Sequence, residues 1–299
     1  MYKINFSPVI SGKINKIINQ RIKMLINQNN IAMLKKDALQ KLRIIFYVTM
    51  VIVFCFTSQV GGDEKTDIGA TIKAAERGDT EAQVILGLMY DDSDSVLQDH
   101  KKAVYWYTKA AEKGDALAQY FLGDMYNNGK GVPQDYKKAV YWFTKAAEQG
   151  IPIAQYNLGG MYYSGKGVLQ DYKKAAYWYI KVAEQGDAFA QAQYYLGVMY
   201  KNGKGFPKDL KKAVYWYTKA AEQGDAFAQS NLGVMYYSGE GVPQNYVTAC
   251  ALLNLSSANG NKIAIKNRGF LSRKMTRKQL AQAQELSVKF QNKIDHANK

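Results

Sequence analysis

A Gly-Asp junction, or a close variant of it, returns along this chain at Gly78-Asp79, Gly114-Asp115, Gly150-Ile151, Gly186-Asp187, Gly224-Asp225 and Gly260-Asn261, in steps of 36, 36, 36, 38 and 36 residues. A unit of that size encloses no core of its own. Repeated at a fixed period, it buries its apolar face on its neighbours and builds a solenoid. The repeat therefore constrains the architecture more than any other feature, and it favours a binding scaffold over a catalytic cleft.

Residues 115–150 show how one unit is made. Ala118, Leu122 and Met125 recur at helical spacing, and Ala118 and Gly123 are small enough to let a neighbouring helix approach. Asn128-Gly129-Lys130-Gly131-Val132-Pro133 breaks that pattern, because two glycines supply positive φ and proline cannot continue a helix interior. Asp135 then offers an N-cap, and Ala139, Trp142, Phe143, Ala146 and Ala147 form an apolar stripe. Gly150 stands where a left-handed C-cap is expected. The unit reads helix, turn, helix, and the fold class is all-α.

The same parts return in each copy. The four tryptophans, Trp106, Trp142, Trp178 and Trp216, hold one register, with Leu252 in that place in the last copy. Ser93 and Ser95 replace both turn glycines in the first copy, which predicts a more polar, more mobile turn there. The fourth copy carries two extra residues around Ala190-Gln191-Ala192-Gln193, which predicts a lengthened helix start or a local irregularity.

The pattern A-x-x-x-L-G-x-x-Y, then G-x-G-V, A-x-x-W and K-A-A-E-x-G, resembles the Sel-1-like repeat family, a relative of the tetratricopeptide repeats, over residues 66–260. The resemblance implies a right-handed α/α superhelix (solenoid) that serves as an adaptor in protein complexes, in bacteria often exported and tied to the envelope or to host interaction. Some cysteine-rich secreted members staple each repeat with a disulfide and are associated with β-lactam binding or hydrolysis. This chain has two cysteines, Cys55 in an apolar run and Cys250 in the register of Val104, Val140 and Val214, so it lacks that staple. Cys250 reads as a small buried hydrophobe.

Charge sorts by segment. Residues 1–62 carry nine Lys/Arg and one acid, residues 63–260 carry 21 and 22, and residues 261–299 carry ten and two. The repeats are thus neutral and both ends basic, which argues against nucleic acid as a partner of the solenoid. At the N-terminus, Lys35, Lys36, Lys41 and Arg43 precede the apolar run 44–56, followed by Thr57-Ser58-Gln59 and Val60-Gly61-Gly62. A charged region, a short apolar run and a compact site describe a secretory signal peptide with cleavage after Gly62. An uncleaved anchor to the inner membrane over residues 44–60 is the rival. Either topology places the repeats outside the cytoplasm, periplasmic or secreted. Met33 would give an ordinary leader, which makes it the expected start of translation.

Chemistry-bearing residues are sparse. The two histidines, His100 and His296, lie far apart in sequence, and no Cys/His spacing suits a metal. The Gly-Lys-Gly turns lack the spacing and the Lys-Ser/Thr ending of a phosphate loop. Glu112, Glu148, Glu184 and Glu222 share a register that reads as a solvated face or a contact between modules. No catalytic, cofactor or metal residue is expected, and the protein reads as a non-enzyme.

The tyrosines beside each tryptophan, and Tyr90, Tyr126, Tyr162, Tyr200 and Tyr236, read as packing between helices. Variation points elsewhere. On each first helix the residues three before, one after and four after the repeat glycine fall at i, i+4 and i+7 and share one face. That face reads Val84, Leu88 and Asp91; Tyr120, Asp124 and Asn127; Tyr156, Gly160 and Tyr163; Tyr194, Val198 and Lys201; then Ser230, Val234 and Tyr237. By resemblance to tetratricopeptide superhelices the first helices line the concave groove, so Tyr120, Asp124, Asn127, Tyr156, Tyr163, Tyr194, Lys201 and Tyr237 are the candidate partner-binding residues, for an internal protein segment or a helix.

The chain accordingly divides into a leader at 1–62, an N-terminal capping helix at 63–78, five repeats at 79–114, 115–150, 151–186, 187–224 and 225–260, and basic C-terminal capping helices at 261–299. Thr276 with Gln279 predicts a capping box, and Leu280, Ala283, Leu286 and Phe290 a buried stripe. The function expected is an exported scaffold for protein–protein interaction. A cell-wall or β-lactam-directed hydrolase and a membrane-anchored envelope organiser are the alternatives.

Overall fold

The computed structural model describes residues 64–91, 98–185 and 189–297. The leader, Ser93 and Ser95, and the Gly186-Asp187 junction lie outside them. Among the described residues there are thirteen α-helices and no strand. None of these helices is long and apolar enough to cross a membrane.

The helices belong to two compact units, one reaching Met161 and including Gly165–Leu169, the other made of Tyr162–Ser164 and the chain from Gln170. The first holds α1 (Glu64–Glu76), α2 (Thr80–Asp91), α3 (His100–Glu112), α4 (Ala116–Asn128), α5 (Tyr136–Glu148) and most of α6 (Pro152–Ser164). The second holds α7 (Tyr172–Glu184), α8 (Ala190–Asn202), α9 (Leu210–Glu222), α10 (Ala226–Ser238), α11 (Tyr246–Ala258), α12 (Lys262–Ser272) and α13 (Arg277–Ala297). Within each unit, successive helices pack as antiparallel neighbours in an α/α solenoid.

Local chemistry fixes the helix ends. Asp135 accepts a hydrogen bond from the Lys138 N–H at 3.0 Å, and Asp209 accepts one from Lys212 at 2.9 Å. Asp115 and Asp225 cap the first helices, accepting from Ala118 and Ala228 at 2.7 Å each. In the third copy Ile151 makes no side-chain cap bond. Pro152 follows it at the first helical turn, where a missing N–H costs nothing. First helices end at Gly129, Gly165, Gly203 and Gly239 in the left-handed region. The second helix α5 ends at Gln149, with Gly150 following at φ 86°.

The core lies at the seams between modules. In the first unit Ala103, Tyr107, Ala110 and Ala111 of one module's second helix meet Ala118, Leu122 and Met125 of the next module's first helix. In the second unit Ala213, Tyr217, Ala220 and Ala221 meet Ala228, Leu232 and Met235 in the same way. Each large apolar side chain so buried contributes about 1.5–3 kcal/mol. Two glycines show how closely helices approach, Gly123 within a module and Gly131 across a seam. A Cβ on Gly123 would lie 2.8 Å from Cδ1 of Phe143, and one on Gly131 would strike the backbone carbonyl of His100 in the preceding module. Buried glutamines tie the seams further. Gln83, Gln119 and Gln155 donate to the carbonyls of Ala75, Ala111 and Ala147 at 2.9, 3.2 and 3.0 Å, and Gln229 donates to Ala221 at 3.3 Å. Because Ala75 belongs to α1, that helix takes the place of a second helix ahead of the first copy.

The fourth copy decides between the two outcomes expected of its extra pair. Helix α8 has the same thirteen residues as α4, α6 and α10, so the extra pair does not lengthen it. Residues added inside the helix would rotate Ala192, Leu196 and Met199 off the core, since each turns the stripe by about 100°. The irregularity instead precedes the helix, where Phe189 is buried and the helix start has no side-chain cap.

At the C-terminal end, Thr276 and Gln279 form the reciprocal capping box: the Thr276 N–H donates to Oε1 at 2.9 Å and the Gln279 N–H to Oγ1 at 3.2 Å. Helix α13 lies along α11, where Ala251 and Leu252 replace the Tyr-Trp pair of the other copies. Ser287 donates to the Ala251 carbonyl and Phe290 packs on the cluster containing Leu252. Ala283, Ser287 and Ile294 are its buried residues, with Leu280, Leu286 and Phe290 half-buried beside them. Cys250 is 3 % exposed, and burial pushes its thiol pKa up.

Candidate functional site

The two-turn spacing of the candidate positions places them along single helix faces, and each unit shows what surrounds them. In the first unit Tyr120 is half-buried on α4, its ring tilted against Phe121 at 5.2 Å and Phe143 at 6.0 Å. One turn on, Asp124 accepts from the Asn128 side chain at 2.8 Å, and the Asn127 amide donates to the Asn128 carbonyl oxygen at 3.1 Å. The Asn127 backbone carbonyl accepts from Gln134, which ties the helix end to the turn. Tyr156, on α6, is half-buried as well. Aromatic support plus a polar end gives α4 a face that can offer area, a carboxylate and amides together.

In the second unit Tyr194 is half-buried on α8, with Tyr195 at 5.4 Å and both Tyr217 and Phe227 at 6.0 Å. Burial raises its hydroxyl pKa, the neighbouring Tyr195 adds to the rise, and a hydrogen bond with Asn231 opposes it. Lys201 lies two turns further along the same helix, partly exposed. Tyr163 and Tyr237 are engaged differently. Tyr163 sits edge-on to Tyr172 at 5.3 Å and beneath Lys204, whose Nζ is 5.0 Å from the ring centre. Tyr237 stacks on Tyr246 at 5.5 Å, and its hydroxyl accepts from Lys274 at 2.8 Å. Both rings therefore join the end of a first helix to its own second helix and to the following module's lysine. Tyr163, Tyr195 and Tyr194 form a continuous aromatic run in this unit.

The face is not uniform along the array. Val84 and Ser230 are buried, so in the first and last copies its leading position is packed away. Copies two to four carry tyrosine there.

The aromatics flanking the tryptophans separate into two sets. Tyr107, Phe143, Tyr179 and Tyr217, just after each tryptophan, are fully buried, as expected of packing. Tyr105, Tyr141, Tyr177 and Tyr215, just before it, are 50–54 % exposed, against expectation. They stand edge-on to the tryptophans at 4.9–5.1 Å, with Lys109, Lys145 and Lys181 over three of the rings. The signal lay in the phase: Tyr141 is two residues from Ala139, nearly opposite the apolar stripe on the helical wheel.

Glu112, Glu148, Glu184 and Glu222 lie on exposed surface, where Glu222 pairs with Lys293 at 2.6 Å. Among the described residues no group of three or more His, Cys, Asp or Glu could hold a metal ion.

The Sel1 repeat model matches residues 80–115, 116–151, 152–187, 190–225 and 226–261. The fold matches the crystal structure of c5321, described as a protective antigen present in uropathogenic Escherichia coli strains, with TM-score 0.71 and 36 % identity over 85 % of this chain and 54 % of that one. It also matches a Sel1 repeat protein from Oxalobacter formigenes, with TM-score 0.59 and 36 % identity over 78 % of this chain and 66 % of that one. The chain thus spans about half the length of the first relative and two thirds of the second. No functionally curated protein matches. Five consecutive repeat matches, a shared helical solenoid and the glycine-lined seams that build it lead to one assignment: the chain belongs to the Sel1 repeat family.

Proposed function

We propose that this chain is a non-catalytic scaffold for protein–protein interaction, as Sel1 repeat proteins commonly are, that it is exported by its basic-apolar leader, and that it holds a segment of another protein on the concave face of its first helices. The carrying observation is the contrast on those helices. The seam residues barely change between copies, whereas Asp124 and Asn127, which follow Tyr120 on α4, become Val198 and Lys201 after Tyr194 on α8. Seam packing accounts for the constant set, and recognition of one ligand accounts for the variable set. Half-buried tyrosines suit that role because their rings are already fixed by neighbours and lose little freedom on docking. Tyr163 and Tyr237 take part at the rim, since one edge of each ring is committed to module contacts. The relative described as a protective antigen is consistent with a location outside the cytoplasm.

The test is affinity capture with the full chain and with a Tyr120→Ala, Tyr156→Ala, Tyr194→Ala variant of equal helicity. A partner held by the first bait and lost by the second is the expected result. Equal capture by both baits would remove the first-helix face from the proposal, and capture of nothing by either would remove the adaptor role. N-terminal sequencing of the mature protein addresses export, with Asp63 the expected first residue and a retained 44–60 segment pointing to an anchor.

A further inference from the structure

Helix α12 begins a sixth module that is never completed. With Asn261 aligned on Asp225, Ala264 takes the place of Ala228, Gly269 that of Gly233 and Leu271 that of Met235. Two registers change character. Ile265 stands where Gln229 is buried, and Arg268 stands where Leu232 is buried. No second helix of that module follows, since α13 lies against α11 instead. Gly233 is closed over by Leu253 and the Ala249 carbonyl, whereas a Cβ on Gly269 would meet nothing within 4 Å. One side of α12 is open.

A cap whose whole task is to end an array presents a polar outer face. This one does not. Ile263, Ile265 and Phe270 are 64, 46 and 55 % exposed. Around them residues 262–278 carry seven Lys/Arg and no Asp or Glu. None of the seven forms an ion pair among the described residues. Lys274 is held in place, with its Nζ 4.7 Å from the Phe270 ring centre and bonded to the Tyr237 hydroxyl.

Uncompensated cations alone would suit any anion. Large apolar side chains set among those cations are costly in water, and they match a boundary that is negative at the surface and apolar beneath it. That boundary is the headgroup region of an anionic bilayer, where cations meet lipid phosphates and short amphipathic helices lie in the plane. We propose that α12 and the start of α13 form a peripheral docking surface for an anionic lipid bilayer, with Ile263 and Phe270, which share one side of α12, entering the acyl boundary and Lys266 and Arg273 beside them meeting the headgroups. This surface continues the register of the first-helix face, since Lys266, Phe270 and Arg273 hold its three positions on α12 and Phe270 stands edge-on to Tyr237 at 6.2 Å; the chemistry of its occupant differs from that of the protein segment proposed for the earlier copies.

The test uses the full chain carrying Cys55→Ser and Gly269→Cys, with a polarity-sensitive fluorophore on the introduced thiol, since Gly269 faces open space and Cys250 is buried. Vesicles are phosphatidylcholine alone or phosphatidylcholine mixed with phosphatidylglycerol. A blue shift on the anionic vesicles, absent on the neutral ones and weakened by salt, is expected. Adding Lys266→Glu and Arg273→Glu raises the half-saturating lipid concentration at least about tenfold. Adding Ile263→Ser and Phe270→Ser instead abolishes the shift, with helical content unchanged in both. No shift on anionic vesicles, an equal shift on both kinds, or a shift that survives both pairs of substitutions overturns the proposal. A shift that grows with protein concentration in the absence of lipid overturns it too, by placing a second copy of the chain on this face.

Discussion

At the scale of the residue, three carboxyl groups sit where folding makes them harder to ionise. Burial is the main cause at Asp115 and Asp225, partly offset by the N–H groups they cap. At Glu81 burial is joined by the charges of Asp79 and Asp115. A carboxyl whose pKa is higher in the folded chain than in the unfolded chain adds stability that is full below the unfolded value and is lost as pH rises through the folded one. Asparagine caps a helix about as well as aspartate and has no charge to desolvate. The Asp115→Asn, Asp225→Asn variant is therefore expected to melt higher than the parent at neutral pH, with the gap closing on acidification through the carboxylate range. Paired thermal melts across that range check it, and a gap that widens on acidification would contradict the assigned cause. The buried glutamines show what sequence hides at this scale. A polar residue repeated among alanines and leucines reads as solvent-facing. Its meaning at Gln119 is a further hydrogen bond to the Ala111 carbonyl at the end of the preceding helix, which also accepts from the Gly114 N–H at 3.0 Å, and this becomes visible once the two helices are seen together.

At the scale of the element, the helices themselves were legible because their punctuation is chemical. Asp135 is a cap by virtue of its oxygen, Gly129 a stop by virtue of its φ, and Ala139 through Ala147 a buried stripe by phase alone. Two things were not legible. The extra pair in the fourth copy could enter the helix or precede it, and packing of Ala192, Leu196 and Met199 decides the matter. The candidate face depends on neighbours as well as phase: Tyr120 is half-buried against Phe121 and Phe143, whereas the Tyr237 hydroxyl is taken by Lys274, 37 residues away. One register gives a test in both directions. Gly123→Ala places a methyl 2.8 Å from the buried Phe143 ring and is expected to cost about 1–3 kcal/mol. Gly269→Ala meets nothing within 4 Å and is expected to stabilise α12 by about 0.5–1 kcal/mol through helix propensity. Urea unfolding of both variants reads the sign, and the same sign for both would contradict the packing described.

At the scale of the whole molecule, solenoids stand or fall by their ends. Helix α13 covers Ala251 and Leu252 and reaches back to Glu222 through Lys293. Deleting residues 276–299 is expected to lower the thermal midpoint and to produce soluble oligomers or aggregates, measured by melting and light scattering. A truncated chain that stays monomeric with an unchanged midpoint would show that α13 rides on the array without closing it. Helix α12, at the same end, has a different meaning. Arg268 takes the register that Leu86, Leu122, Leu158, Leu196 and Leu232 hold elsewhere but is exposed, and Ile265 replaces the glutamine that would have sought a carbonyl. The scaffold is not measured out by a ruler: its seam is lost where an exposed cation replaces a buried leucine. Length is thus a local, editable property. Restoring glutamine and leucine at those two seats would turn the terminus back into a splice point, from which the scaffold could be extended in increments of 36 residues.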